Sequence, residues 1–255
     1  TMNQDKSISV GERNDNKRGT VFILIGLILL FFLPLLVGWG KIFFDDIAFL
    51  FYPQQVYLSR CFQQGVFPWW DPHICAGATP FYARLFASTL YPCNWLFLFC
   101  SSILKAQSSF FWLVKAPLVF HYLLSAVFSF IFGRRGIGLN RAGSFVLAAA
   151  YTFSPTMIYM STFPPEVFIQ AWLHIFCCCL LIFWKEGGLR WVVGGMLAFA
   201  ISSPSGDVPF VFHVILICGL FAAGLAGTAV VRKEWKRLGR VIGAFVLIFG
   251  GGFLL

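Results

Sequence analysis

The chain has 255 residues, of which 59% are hydrophobic, 19% aromatic and only 11% charged. Because soluble domains carry roughly a quarter charged residues, this composition excludes an ordinary soluble protein and predicts a membrane protein. The net charge is +9, but its basic residues are spread over several loops, which argues against a nucleic-acid partner.

Apolar runs separated by short polar loops predict the architecture. Residues 1–18 are polar and predict a cytoplasmic tail, and a membrane domain follows over residues 19–255. The first run is too long for a signal-peptide core and lacks a small-residue cleavage site, so we expect a retained helix. The runs cover residues 21–39, 110–132, 142–161, 167–184, 190–203, 208–231 and 241–255. The sequence therefore predicts an all-α, polytopic membrane helical bundle with about seven transmembrane helices. The chain stops inside the last run, from which we expect further spans beyond it.

Basic residues mark alternate loops of this pattern. They precede the first run and then occur in the loops at 133–141, 185–190 and 232–240. The positive-inside rule makes these loops and the N-terminus cytoplasmic. We therefore expect attraction to membrane lipids with anionic headgroups.

The long segment 40–108 is predicted on the outer side and is rich in aromatic residues and proline. Its stretches at 54–64 and 94–104 are too short to span and predict interfacial helices, or a re-entrant segment in the second case. The fifth run ends in "SSPSGDVP". This pattern predicts either a broken helix end near the outer face or a plain polar turn.

Five carboxylates fall on the predicted outer side, whereas the other acids lie among the cytoplasmic basic residues. One interpretation is a shared functional site. The alternatives are a solvated helix end for Asp45 and Asp46, an Asp-Pro turn at Asp71, and polar loops elsewhere. The outer acids are Asp45, Asp46, Asp71, Glu166 and Asp207.

The cysteines do not predict a metal site. Cys177, Cys178 and Cys179 are consecutive, so on a helix they point about 100° apart and cannot share tetrahedral ligation. They are best interpreted as small packing residues. The cysteines of the outer segment could form a disulfide, but no particular pairing is favoured.

The outer segment reads "DIAFLFYP", then "QQGVFPWWDPHICAGATPFYA", then "LYPCNWLFLF". It resembles the first extracytoplasmic loop of YfhO-like bacterial membrane proteins, within the GT-C superfamily of polyprenyl-phosphate-sugar-dependent glycosyltransferases. The resemblance covers roughly residues 20–255, and the loop motif is its specific part. It includes Asp46, Tyr52, Pro53, Gly65, Pro68, Trp70, Asp71, Pro72, Gly77, Pro80, Tyr91 and Pro92.

The resemblance implies a GT-C-like fold in the bacterial cytoplasmic membrane. It also implies an enzyme that transfers a sugar from a polyprenyl-phosphate-linked donor to an extracytoplasmic glycan, lipid or protein acceptor. By analogy Asp46 is the catalytic base, and Asp45 orients it or holds a divalent metal ion that assists. Substrate contacts are expected from Asp71, Glu166, Asp207 and Trp70, and phosphate contacts from Arg60, Arg84 and Lys115.

Two other functions fit parts of the pattern. A lipid-linked-sugar transporter or flippase would explain a broken helix and charges at membrane depth. A non-catalytic membrane subunit would need none of the carboxylates. Lys115 could equally lie near the end of its span and extend its ammonium group to the interface.

Overall fold

The computed structural model describes residues 17–38, 46–72, 77, 86–104, 109–205 and 208–255, and these residues form helices and connecting turns. The first half contains α1 (Lys17–Phe31), α2 (Leu33–Leu36), α3 (Tyr52–Gln63), α4 (Phe86–Leu90), α5 (Pro92–Ile103) and α6 (Ala116–Ile131). The second half contains α7 (Arg141–Thr152), α8 (Pro155–Met160), α9 (Pro164–Gln170), α10 (Leu173–Glu186), α11 (Leu189–Ser202), α12 (Val208–Val231), α13 (Trp235–Phe245) and α14 (Gly252–Leu254).

Four helical stretches are long and apolar enough to cross a membrane, counted over the described residues. They are Phe111–Ile137, Pro164–Glu186, Val208–Val231 and Trp235–Leu254. The prediction of a helical membrane bundle is therefore confirmed. The first predicted span contains an apolar helix at Gly19–Phe31, which is shorter than these four. The fifth contains the 14-residue α11.

The third predicted span is divided rather than continuous. Its first part is α7, which ends at Thr152, and its second part is α8, which begins at Pro155. A proline within a helix lacks the backbone donor and clashes with the preceding turn. Ser154 instead caps α8 by accepting a hydrogen bond from the Met157 backbone at 3.3 Å. The apolar run conceals this break because hydropathy alone does not detect a cap.

Two prolines are accommodated inside otherwise continuous helices by π-helical turns. A π-helical turn at Ile47–Phe51 precedes Pro53, and another at Phe111–Lys115 precedes Pro117. The wider turn relieves the contact between the proline ring and the preceding carbonyl groups. The helix that begins at Asp46 can therefore continue through α3 without a break.

Three of the predicted cytoplasmic loops meet at one end of the bundle. They cover residues 133–141, 185–190 and 232–240, and we call this end the basic end. The Lys185 ammonium donates to the Gly136 carbonyl at 2.7 Å. The Arg237 guanidinium lies 5.2 Å from the centre of the Trp184 ring. The three loops are therefore adjacent in space, as the charge pattern requires.

The hydrophobic core consists of two clusters. The first contains α1, α3 and α6 residues and includes Phe51, Tyr91 and Phe168. The second centres on α10 and includes the three consecutive cysteines, which are buried as packing residues. Tyr151 and Trp172 pack against both clusters, so the two halves of the bundle share one boundary.

Candidate functional site

The end opposite the basic loops, which we call the aromatic end, comprises residues 46–72 and 86–104. Its two main helices, α3 and α5, are joined by buried side-chain amide and hydroxyl groups. Asn94 donates to the Gln55 side chain at 3.0 Å, and the hydroxyl oxygens of Ser59 and Ser101 lie 3.4 Å apart. Both pairs advance in the same direction along the two helices, so α3 and α5 run parallel.

Residues 64–72, which we call the hook, turn back from α3 and are held by Tyr57. The Tyr57 hydroxyl donates to the Trp70 carbonyl at 2.6 Å. Partial burial raises the pKa of Tyr57, with further contributions from Cys61 and the negative charge of Asp71. The hydroxyl therefore stays protonated and available as a donor at neutral pH. Asp71 itself is only 2% exposed, whereas Asp46 and Glu166, the other predicted carboxylates that the structure describes, are half-buried.

Two glycines of the motif have backbone conformations that account for glycine at these positions. Gly65 has φ +66° and Gly77 has φ +107°, a region that side chains with a Cβ rarely adopt. A Cβ on Gly77 would lie 2.3 Å from the Trp70 ring. Gly77 therefore allows the backbone to pack directly on Trp70, and this part of the motif has a structural reason.

An apolar groove of about 330 Å³ lies between α3, α5 and the hook. The Trp95 indole is fixed in its wall by a hydrogen bond to the Thr89 carbonyl at 2.8 Å. The Thr89 hydroxyl is buried and has no hydrogen-bond partner. The groove is lined by Leu58, Phe62, Thr89, Trp95, Leu98 and residues 65–68. Its mostly apolar walls suit an apolar chain.

Unpaired amide groups lie on the same helix as the groove. Gln54 is 3% exposed, yet neither its oxygen nor its nitrogen has a partner, and the Gln55 nitrogen also lacks one. Gln54 and the groove residue Leu58 are four residues apart and share one face of α3. Buried amides are almost always hydrogen-bonded in proteins, so an unpaired one indicates a place for water or a polar ligand group.

A hydrogen-bonded trio fastens the aromatic end to the spans. The Tyr91 hydroxyl lies 2.8 Å from His121 Nε2 and accepts a hydrogen bond from the Trp172 indole at 3.1 Å. His121 Nδ1 lies 2.6 Å from the Pro117 carbonyl and therefore carries the proton. The imidazole also stacks on Phe168 at 4.0 Å. Both ring nitrogens of His121 therefore have partners, and the imidazole is packed within the bundle.

The predicted carboxylates do not all fall within the described residues. Asp45 and Asp207 lie outside them. Asp46 is half-buried at the start of the helix that leads into α3, and its side chain makes no capping hydrogen bond there. Glu166 is half-buried in the first turn of α9. Helix α9 packs against the Ser203–Ser205 turn at the aromatic end.

Two of the three predicted phosphate-binding cations, Arg60 and Lys115, lie within the described residues, and they belong to different helical elements. Arg60 is exposed in the last turn of α3. Fourteen residues of helix separate it from Asp46, which places their Cα atoms about 20 Å apart. Lys115 donates to the Leu35 carbonyl at 2.6 Å and so satisfies the end of α2. Arg84 lies outside the described residues. Arg60 and Asp46 therefore lie at different points along one helix, and the role of Arg60 as a phosphate contact stays a prediction.

The irregular end of the fifth span contacts the aromatic end. Helix α11 ends at Ser202, and a 3-10 turn follows at Ser203–Ser205. The Ser88 hydroxyl donates to the Ser205 carbonyl at 3.4 Å, and α4 packs on this turn. The described residues of the aromatic end therefore contact the end of the fifth predicted span, which is an arrangement that a covered site requires.

Metal binding receives no support from the described part of the chain. It contains no group of three His, Cys, Asp or Glu side chains close enough to hold an ion. Cys61, Cys93 and Cys100 are free thiols there. The remaining outer cysteine, Cys75, lies outside the described residues. A metal held by the Asp45–Asp46 pair stays a prediction.

Sequence reasoning missed several polar residues of the aromatic end. The Tyr57 contact with Trp70 and the unpaired groups of Gln54 and Thr89 were not predicted. A usable signal existed in the consecutive glutamines, because a Gln pair within an aromatic helix is costly to bury without a purpose.

Comparisons of the chain with protein-family models, with curated proteins and with solved structures give no match.

Proposed function

We propose that this protein is a membrane glycosyltransferase that moves a sugar from a polyprenyl-phosphate-linked donor to an extracytoplasmic acceptor. The observation that carries the proposal is the apolar groove with unpaired polar groups beside it. Leu58 and Trp95 line a 330 Å³ space, Thr89 beside it has a buried, unpaired hydroxyl, and Gln54 lies one helical turn from Leu58 along α3. An amphiphile with an apolar chain and a polar head suits both features.

The proposal includes a GT-C-like arrangement of about seven spans in the bacterial cytoplasmic membrane. The N-terminus and the basic end face the cytoplasm, and the aromatic end faces outward. The clustering of the three basic loops supports this orientation, because such charge is retained on the cytoplasmic side. The donor's phosphate would then lie at headgroup level, close to the aromatic end.

In the proposed reaction Asp46 accepts the proton of an acceptor hydroxyl as its oxygen attacks the anomeric carbon. The bond between that carbon and the phosphate oxygen breaks, and polyprenyl phosphate leaves with the electron pair. Asp46 suits this role because it is half-buried and makes no capping hydrogen bond. Asp71 and Trp70 belong to the hook that borders the groove and is held by Tyr57, so they would contact the bound donor rather than take the proton.

The test is sugar transfer in membrane vesicles with a polyprenyl-phosphate-linked donor. We expect Asp46→Asn to lower kcat by about 100-fold or more, the usual contribution of a general base. The matched control is Glu186→Gln, which removes an exposed carboxylate at the basic end and should leave transfer unchanged. Unchanged transfer by Asp46→Asn would exclude this mechanism. Movement of the intact donor across the membrane without transfer would favour the transporter.

A further inference from the structure

The turn between α12 and α13 carries positive charge that the described protein does not neutralise. Arg237 is satisfied, since it donates to both carboxylate oxygens of Glu234 at 3.0 and 2.8 Å. Arg232, Lys233 and Lys236 are exposed, and none of them forms an ion pair within the described residues. Three cations are thus left facing outward from one helical hairpin.

Lys233 occupies a position that normally favours glycine. Its φ is +56°, and among the described residues no other non-glycine residue has a positive φ. Its backbone N–H donates to the Val230 carbonyl at 3.0 Å, and the Glu234 N–H donates to the Ala229 carbonyl at 2.8 Å. This is the usual helix-ending turn, in which a lysine is disfavoured sterically. A strained residue is a reason to look for a function of its side chain.

An apolar groove of about 190 Å³ lies between α12 and α13, on the side of the turn that leads into the bundle. Gly219, Ala223 and Ala226 line it on α12, and Ile242 lines it on α13. It opens outward, because Ile242 is 54% exposed and Val246 is 59% exposed. Ala226 precedes Lys233 by seven residues, so the groove begins about 10 Å from the charged turn.

We propose that the α12–α13 hairpin is a binding site for one anionic phospholipid. Its phosphate binds Arg232, Lys233 and Lys236, and one acyl chain lies in the groove. The charged turn lies beyond the end of the apolar groove. In a bilayer leaflet a headgroup layer several ångströms thick lies beyond the hydrocarbon in the same order. Basic pockets between membrane helices on the cytoplasmic side bind acidic headgroups in this way.

Charge complementarity favours this occupant over another protein helix. A helix packed into the groove would leave the three cations without partners, whereas a phospholipid satisfies both the cations and the apolar walls. A soluble anion would satisfy the cations only. The inference is independent of sugar transfer, because it concerns the basic end and uses no residue of the aromatic end.

The experiment is native mass spectrometry of the full chain in detergent, titrated with phosphatidylglycerol or phosphatidylcholine. We expect tighter binding of phosphatidylglycerol. Exchanging Arg232, Lys233 and Lys236 together for Gln should weaken it about 100-fold, from about fivefold for each charge near the surface. The matched control exchanges three basic residues of a different loop, Arg134, Arg135 and Arg141, for Gln and should change the affinity less than threefold. Equal losses in both triple variants would overturn the proposal, because the attraction would then be a general property of the basic end.

Two single variants test the rest of the geometry. Lys233→Gly relieves the strained turn, so it should raise the thermal stability of the chain and yet weaken phosphatidylglycerol binding about fivefold. Ala223→Phe fills the groove and should also weaken binding, whereas Val230→Phe, on the same helix outside the groove, should not. Unchanged binding by both Lys233→Gly and Ala223→Phe would refute the site.

Discussion

The buried hydroxyl of Tyr91 offers the most direct test of how the aromatic end is held. Tyr91→Phe removes one oxygen and keeps the ring that stacks on Phe168 at 6.2 Å. His121 Nε2 then loses its donor, and the Trp172 indole loses its acceptor. The Pro117 carbonyl holds the imidazole proton on Nδ1, so His121 cannot reverse its tautomer without a further loss.

The cost follows from these two unpaired groups. Leaving a buried donor or acceptor unsatisfied costs about 1–3 kcal/mol, and polar contacts within membranes fall toward the lower part of that range. We expect Tyr91→Phe to lower the free energy of unfolding by about 2–4 kcal/mol. The matched control is Tyr159→Phe, because that ring is 72% exposed and its hydroxyl can exchange partners with solvent or lipid headgroups.

Reversible unfolding in mixed micelles with increasing sodium dodecyl sulfate measures both variants. A second arm uses Trp172→Phe and the double variant, because residues in one hydrogen-bonded network are not additive. The double variant should cost less than the sum of the two single ones. If Tyr91→Phe and Tyr159→Phe unfold with the same free energy, within about 0.5 kcal/mol, the trio does not fasten the aromatic end.

The other predictions concern the hook and the first span. Gly65→Ala should cost about 1 kcal/mol of unfolding free energy from its positive φ alone, since no atom lies near its Cβ position. Gly77→Ala should cost more because its Cβ meets the Trp70 ring, and adding Trp70→Ala should recover part of that loss; equal costs at both glycines would contradict the contact. Lys115→Met leaves the Leu35 carbonyl unpaired and should cost about 1–3 kcal/mol, whereas Lys115→Arg should cost less than half as much, as unfolding in the same micelles would measure.

Hydropathy and charge patterning were sufficient for the coarse architecture. The apolar runs predicted α6, α10 and α12 as spans, and the loop charges predicted that the basic loops would lie together. Both signals sum over many residues, so single exceptions do not change the result. Features that depend on single residues were harder to predict from the sequence. The helix break at Ser154 depends on one cap and one proline within an apolar run.

The details of the candidate site could not be predicted because they depend on partners far apart in the chain. Lys115 was considered a phosphate ligand or an interfacial cation, yet it caps a carbonyl 80 residues earlier in the sequence. Arg60 and Asp46 were both assigned roles in one site by the resemblance, but the π-helical turn at Ile47–Phe51 keeps them on one continuous helix and therefore far apart. Topology assigns residues to a side of the membrane and leaves their lateral positions open.

The trio at Tyr91 also has a consequence for the order of events on the ribosome. Trp172 follows Tyr91 by 81 residues, and chains grow at about 5–20 residues per second. The Tyr91 hydroxyl is therefore synthesised about 4–16 s before the indole that donates to it. Before Trp172 is made, α5 can pair with α3 and, once residues 116–131 have been synthesised, with α6, but not with the later helices. Completion of the aromatic end is thus a late step of biogenesis, and a pause in translation between these residues should prolong the exposure of α5 to chaperones and proteases.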